Sequence, residues 1–162
     1  MGVSRGDTRM IRGITGVSID AKGRVVMPAR YREHLQLNEN CIVVLTIDTE
    51  ERCLLLYSLQ DWEVIEAKLA NLPSFNPAAR RIQRLLIGHA TDVEMDGQGR
   101  NLLPSLLRDY AGLEKNAVFV GQGKKLEIWD EQHWATSRDR WLQEEANASL
   151  AELPDEVKSI SL

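Results

Sequence analysis

One segment of this sequence occurs twice, and the two copies are 76 residues apart. Residues 17–24 read VSIDAKGR and residues 93–100 read VEMDGQGR. Apolar residues and then a proline follow each copy, Pro28 in the first and Pro104 in the second. A repeat at this spacing predicts two copies of one small module. A module of about 50 residues buries too little surface to be more than marginally stable alone. The fold must therefore combine the two copies or several chains.

Each copy predicts the same order of elements: strand, tight turn, strand, short helix, two more strands and a long helix. A proline at the first turn of a helix leaves no N–H unpaired, so Pro28 marks the start of the first short helix and Pro104 opens the second. The expected strands are 14–19, 25–27, 41–45, 53–57, 90–95, 101–103, 117–121 and 126–129, with a hairpin loop at 121–124. The expected helices are 29–35, 60–72, 77–88, 104–111 and 131–150, and the segment after Pro154 is expected to fray.

The predicted fold class is α+β, built from two β-rich modules with flanking helices. Four short strands per module make a poor closed sheet and leave unpaired edges. Interlocking the two modules around a pseudo-twofold axis covers those edges. Helix 60–72 is expected to bury a stripe of four residues, Trp62, Ile65, Leu69 and Leu72.

Charge is unevenly distributed along the chain. The net charge is −4, but residues 1–34 hold seven Arg or Lys against three Asp or Glu, and residues 130–162 hold three against eight. Such a local excess is a better guide to partners than the total. No apolar run approaches the ~20 residues that cross a bilayer, and the arginine-rich start does not resemble a secretory signal. We therefore expect a cytoplasmic protein with no membrane partner.

The repeated D-x-x-x-R turn is the main candidate site. Asp20 and Asp96 suit turn initiation, because a carboxylate accepts hydrogen bonds from amides two residues on. Gly23 and Gly99 permit the positive φ that a tight reversal requires, and an arginine follows each glycine. In a single D-x-x-x-R, the Asp–Arg pair usually only braces its turn. Duplication with the surrounding strand, Gly-Arg and proline pattern makes a functional role more specific.

The two copies differ in charge. The first copy is rich in basic residues, namely Lys22, Arg24, Arg30 and Arg32, with Arg12 nearby. The second keeps Arg100 and Arg108 but has Gln98, Leu106 and Leu107 at the other positions. Arginine forks onto phosphate oxygens or onto the major-groove edge of guanine. The first copy is therefore expected to face an anion, and the second to serve more in packing.

Four segments together closely resemble the MraZ family, bacterial transcriptional regulators of the division and cell-wall gene cluster in the SpoVT/AbrB-like superfamily. These are residues 10–13 (MIRG), 20–24 (DAKGR), 80–86 (RRIQRLL) and 96–100 (DGQGR). The resemblance covers about 10–162. The family commonly has Phe where this chain has Ile11, and residues 1–9 precede its usual start.

This resemblance implies two tandem AbrB-like (swapped-hairpin) domains, 14–61 and 90–133, and a C-terminal helix and tail, 134–162. It implies a ring-shaped homo-oligomer and binding to direct repeats in promoter DNA, with repression as the expected effect and the nucleoid as the site of action. Arg24 is implied as the principal DNA contact and Arg100 as its equivalent. Lys22, Arg12 and Arg30 are expected to assist. Asp20, Gly23, Asp96 and Gly99 are expected to structure the turns.

Other residues favour structural roles. Arg80, Arg81 and Arg84 share a helical face that suits solvent or a salt bridge between subunits better than a second phosphate contact. Trp62, Trp134 and Trp141 have core or interface spacing, and Cys41 and Cys53 lie in apolar runs. His34, His89 and His133 form no close metal-ligand set. We expect no catalytic site, cofactor, metal or small-molecule substrate. The alternative function is a protein-interaction or assembly module of the same superfamily with weak or lost DNA binding.

Overall fold

A computed structural model describes residues 10–35, 40–149 and 152–161. The chain divides into two compact units, residues 1–131 and 132–162. The expectations for residues 1–9 lie outside the described residues. The helix expected over 131–150 ends earlier, at Asn147, because residues 148 and 149 are not helical.

The first unit holds eight strands and four helices in the part of it that the structure describes. The strands are β1 (Ile11–Ser18), β2 (Arg24–Val26), β3 (Ile42–Ile47), β4 (Leu54–Ser58), β5 (Thr91–Glu94), β6 (Arg100–Leu102), β7 (Asn116–Gly123) and β8 (Leu126–Asp130). The helices are α1 (Ala29–Leu35), α2 (Leu59–Ala70), α3 (Pro77–His89) and α4 (Ser105–Ala111). The expected α+β class is confirmed.

Strand pairing joins the two copies of the repeat. Six strands form one antiparallel sheet in the order β1-β7-β8-β4-β3-β5, and β2 and β6 form a separate two-stranded ribbon. The pairs β1–β7, β3–β5, β4–β8 and β2–β6 each combine one strand from each copy. Exchanging equivalent strands, β1 with β5, β3 with β7 and β4 with β8, reproduces the same sheet order. Neither copy therefore forms its sheet alone, as the weak four-strand module predicts.

The core lies on both faces of the sheet because side chains alternate along a strand. In β3, Val43, Leu45 and Ile47 enter the main core, while Val44 packs in a second cluster with Trp62 of α2. Leu35 and Leu107 carry α1 and α4 into the main core. Buried side chains therefore hold each short helix against the main core, directly after the ribbon strand that precedes it in sequence.

Several boundaries differ from the sequence-based expectations. β1 starts at Ile11 rather than Ile14, and β7 continues to Gly123, because Ile11 and Gly123 pair with each other across the copies. The expected hairpin loop at 121–124 is accordingly too early. Helix α2 ends at Ala70, so Leu72 lies beyond it and is 37% exposed instead of completing the buried stripe.

The second unit consists of helices. It contains most of α5 (Glu131–Asn147) and the short α6 (Asp155–Lys158), where fraying was expected. Within α5, Trp134 and Trp141 form an edge-to-face pair with ring centroids 6.1 Å apart. Among the described residues, we find no helix with the length and apolar character that crossing a membrane demands.

Candidate nucleic-acid interface

The first reading turn, which we define as residues 20–24, is braced by the Asp20 carboxylate. Its Oδ1 accepts hydrogen bonds from the backbone N–H groups of Lys22 (2.9 Å) and Arg24 (2.8 Å). Its Oδ2 accepts from Arg24 Nε at 2.7 Å. Gly23, with φ of +86°, donates its N–H to the Asp20 carbonyl at 2.9 Å. The sequence of the turn thus fixes both its backbone and the direction of its arginine.

The second reading turn, residues 96–100, has the same geometry. Asp96 Oδ1 accepts from the N–H groups of Gln98 and Arg100, both at 2.9 Å, and Oδ2 accepts from Arg100 Nε at 2.6 Å. Gly99 has φ of +82° and donates to the Asp96 carbonyl at 2.9 Å. The bracing is therefore the same whether the third residue of the turn is lysine, as in Lys22, or glutamine, as in Gln98.

The carboxylates are charged groups held in place by donors. The pKa of Asp20 is lowered chiefly by the hydrogen bond from the Arg24 backbone, and that of Asp96 by the equivalent bond from Arg100. Within the described residues, each guanidinium contacts its carboxylate through Nε. A guanidinium has further N–H donors on its two terminal nitrogens, and these are left for another acceptor.

The two arginines lie on one exposed face of the β2–β6 ribbon. Arg24 is directly opposite Leu102, and Val26 is directly opposite Arg100. The buried pair Val25 and Asn101, each 1% exposed, faces the opposite way. The Arg24 and Arg100 side chains remain 32% and 37% exposed. Diagonal neighbours on such a pair are roughly 7–8 Å apart at the backbone, so both arginines leave the same face of the ribbon, and each guanidinium is held by the aspartate of its own turn.

Each reading turn rests on an arginine from the other copy. Arg108 of α4 donates from Nε to the Leu103 carbonyl at 3.0 Å, and Leu103 donates its N–H to the Gly23 carbonyl at 2.9 Å. A methyl group placed on Gly23 would lie 2.7 Å from Arg108 Cζ, so the guanidinium packs directly against this glycine.

The second reading turn has the equivalent arrangement, in which Arg32 of α1 takes the place of Arg108. Arg32 donates from Nε to the Met27 carbonyl at 2.9 Å, and Met27 donates its N–H to the Gly99 carbonyl at 2.8 Å. A methyl group on Gly99 would lie 2.5 Å from Arg32 Cζ. Glycine is thus required at both turns for close approach as well as for positive φ.

The remaining predicted DNA-binding residues are placed differently. Lys22 is exposed within the first reading turn. Arg12 is exposed near the start of β1, about 20 Å from Ser18 at the other end of the strand. Arg30 reaches β1, where its Nη2 donates to Thr15 Oγ1 and to Tyr31 Oη (2.8 Å). The structure therefore places Lys22 in the same turn as Arg24 but separates Arg12 from both.

One group of side chains has metal-ligand character in the part of the chain that the structure describes, namely Asp48, Cys53 and Glu127, whose ligand atoms lie within 4.8 Å of one another. Burial raises the pKa of the Cys53 thiol and of the Glu127 carboxyl. Glu127 Oε1 accepts hydrogen bonds from Trp129 Nε1 (2.9 Å) and Gln122 Nε2 (3.1 Å). Hydrogen bonding within the protein accounts for this cluster, and it lies outside the reading turns.

The sequence analysis treated Arg32 and Arg108 as part of the charge pattern and missed their contacts with the glycines of the two turns. The available signal was position: each stands four residues after its proline in both copies, whereas the residue two places earlier changed from Arg30 to Leu106. The exposed apolar residues Val26 and Leu102 were also missed, because strand pairing between copies is what sets them beside the arginines.

Comparison with known proteins agrees with the repeat. A family model described as MraZ protein, putative antitoxin-like, matches residues 10–85 and again residues 86–156. Proteins named transcriptional regulator MraZ from Coxiella burnetii and Legionella pneumophila are each 56% identical over 153 residues, which cover 94% of this chain and all of theirs. The protein of that name from Halorhodospira halophila is 51% identical over the same coverage. The repeated turn, the strand pairing between copies and these two family matches together establish that the chain belongs to the MraZ family.

Proposed function

We propose that this chain is a sequence-specific DNA-binding repressor that acts on direct repeats in the promoter of the division and cell-wall gene cluster. One observation carries the proposal. Two arginines on the same exposed face of the β2–β6 ribbon have guanidinium groups braced by aspartates, and their terminal nitrogens lie outside the bracing bonds. Relatives named transcriptional regulators support this assignment.

The ribbon has a size that suits the DNA major groove, which admits a two-stranded β-ribbon. Arg24 is assigned as the principal reading residue and Arg100 as its partner on the second turn. Their terminal N–H groups match the paired acceptors of guanine or of a phosphate. Lys22, at the tip of the first turn, is assigned a phosphate contact. Arg12 and Arg30 are assigned peripheral contacts to the DNA backbone, and Asp20, Gly23, Asp96 and Gly99 shape the turns.

The assembly we propose is a cyclic homo-oligomer. Residues 14–61 and 90–133 are two SpoVT-AbrB-like domains interlocked as swapped hairpins, and residues 134–162 form the C-terminal helix and tail. The four strand pairs that join the copies support this interlock. Several ribbons on one rim would bind jointly and offset the acidic net charge of −4. A rim that repeats by rotation fits direct repeats of DNA on nucleoid promoters, whereas an isolated twofold dimer fits palindromes.

Footprinting tests this proposal. The probe is the duplex upstream of the gene for this chain, and the proteins are the wild type, Arg24→Ala and Arg100→Ala. We expect the wild type to protect regularly spaced repeats and Arg24→Ala to lose protection at unchanged oligomer size. Full protection by Arg24→Ala would contradict the assignment of the reading residue. Equal binding to promoter and random duplex, with little response to salt, would favour the protein-interaction module instead.

A further inference from the structure

The exposed face of the β2–β6 ribbon carries apolar side chains beside its arginines. Val26 is 47% exposed and Leu102 is 55% exposed. By the strand register, Leu102 lies opposite Arg24, and Val26 lies opposite Arg100. The face is therefore a two-by-two pattern in which each guanidinium has an apolar neighbour across the ribbon and another along its own strand.

The charged side chains around this face exclude an apolar protein surface as its binding partner. Two side chains present far less surface than the roughly 1,000 Å² that a stable protein interface buries. Their nearest neighbours are arginines with terminal N–H donors and aspartates with lowered pKa values, which an apolar partner surface would leave unsolvated. A partner must therefore supply hydrogen-bond acceptors and small apolar groups alternately at a spacing of a few ångströms.

The major-groove edge of duplex DNA has this chemistry. Guanine offers two acceptors to a guanidinium, and thymine offers a 5-methyl group to an apolar side chain. We propose that Val26 and Leu102 are specificity-determining residues that contact thymine methyl groups next to the base pairs read by Arg24 and Arg100. This inference rests on the proposed DNA-binding function. It adds that thymine is recognised through its methyl group and not by its hydrogen-bonding edge.

Removing only the methyl groups tests this directly. The upstream duplex is prepared in two forms, one with thymidine and one with deoxyuridine, which pairs identically but lacks the 5-methyl group. We expect the wild type to bind the deoxyuridine form at least about fourfold more weakly, the effect of one buried methyl-sized group. Val26→Ala and Leu102→Ala should bind the thymidine form more weakly and reduce the difference between the two forms.

Matched controls are available in the same chain. Val64 is 55% exposed on α2 and Leu72 is 37% exposed just beyond that helix, so Val64→Ala and Leu72→Ala remove exposed side chains of the same types from outside the ribbon. Both controls should retain the wild-type preference for thymidine. A random duplex of equal composition should show no preference.

The experiment gives different results if the methyl contact is wrong and if the proposed function is wrong. Equal affinity of the wild type for both forms, with binding still dependent on Arg24, would overturn the methyl contact and leave the proposed function intact. Absence of any promoter binding would instead refute the proposed function. A change in subunit number in Val26→Ala or Leu102→Ala, with an unchanged thymidine preference, would assign the face to contact between copies of this chain and overturn the inference.

Discussion

At the scale of single residues, the aspartate of each reading turn has two jobs. Asp20 holds the backbone through Oδ1 and aims Arg24 through Oδ2. Its negative charge also lies where DNA phosphates are expected to approach, which disfavours binding. Positioning of Arg24 thus favours DNA binding, whereas repulsion of phosphates opposes it. A substitution that removes the negative charge but keeps the oxygen that binds the turn backbone separates the two effects.

Asp20→Asn is that substitution. The amide oxygen still accepts from the turn backbone, but an NH₂ group now faces the Arg24 Nε donor and releases the guanidinium. We expect the preference for promoter over random duplex to fall by roughly tenfold, about 1.4 kcal/mol. Affinity for random duplex should stay equal or rise. Fluorescence anisotropy with both duplexes measures the ratio.

Asp92→Asn is the control for this prediction, because it removes one exposed negative charge from β5 outside either turn. It should leave the preference unchanged. If Asp20→Asn kept the full preference, the bracing bond would not be what orients the reading arginine.

Glu127 gives a second residue-scale prediction, now for stability. Burial raises its pKa above the usual 4.5. The folded state therefore binds the proton more tightly than the unfolded state, and this contribution to stability is lost as pH rises through the folded pKa. Glu127→Gln keeps an oxygen for Trp129 Nε1 and cannot ionise. Its free energy of unfolding should exceed that of the wild type at about pH 8, with a smaller difference at about pH 5.

Chemical denaturation at both pH values measures this difference, and the exposed Glu114→Gln is the control. A gap between Glu127→Gln and the wild type that widened towards acid would reverse the sign and show that the buried carboxylate is stabilised in its charged form.

At the scale of elements, each turn depends on both copies of the repeat. The glycine of one turn approaches the arginine of the other copy's short helix, and a backbone hydrogen bond closes the same link. Helices α1 and α4 are anchored in the core by Leu35 and Leu107. Each reading turn is therefore fixed to the core through the other copy, which gives the guanidinium groups a rigid base.

Glycine substitutions test this link. In Gly23→Ala, the methyl group is strained by φ of +86° and meets Arg108 Cζ at 2.7 Å. We expect the free energy of unfolding to fall by at least about 1–2 kcal/mol, the cost of a left-handed L-residue. Gly97→Ala is the matched control, because nothing lies within 4 Å of its methyl position and Ala21 occupies the equivalent place in the first turn. It should be neutral or stabilise by up to about 1 kcal/mol. Thermal unfolding of both variants measures these effects, and equal effects at the two glycines would contradict the crowded geometry of residue 23.

At the scale of the whole molecule, the sequence repeat predicted much of the outcome. It indicated the element order, the α+β class and the two turns, because local propensities and the proline and glycine positions are written in each copy separately. The extension of β1 to Ile11 and of β7 to Gly123 could not be predicted in this way. Those strands pair residues that lie about a hundred positions apart in sequence, and no local pattern specifies that register.

The contacts of the candidate site likewise fall into two groups, those within one turn and those between the two copies of the repeat. Asp20, Gly23 and Arg24 interact within five residues, so their roles follow from sequence. The contacts of Arg108 with Gly23 and of Arg32 with Gly99, and the exposed pattern around Val26, arise from pairing between copies. Only the three-dimensional arrangement shows them.

The central claim is that guanidinium groups braced at the reading turns bind DNA collectively. The most direct measurement is promoter affinity against salt concentration for the wild type and Arg24→Ala, with subunit number checked by light scattering. The account predicts a steep fall with salt for the wild type, about −0.9 in the log–log slope per neutralised phosphate. It also predicts a loss of about a hundredfold or more for Arg24→Ala at constant subunit number, because every subunit on the rim loses its contact. An Arg24→Ala protein that matched the wild type in affinity and salt response would contradict it.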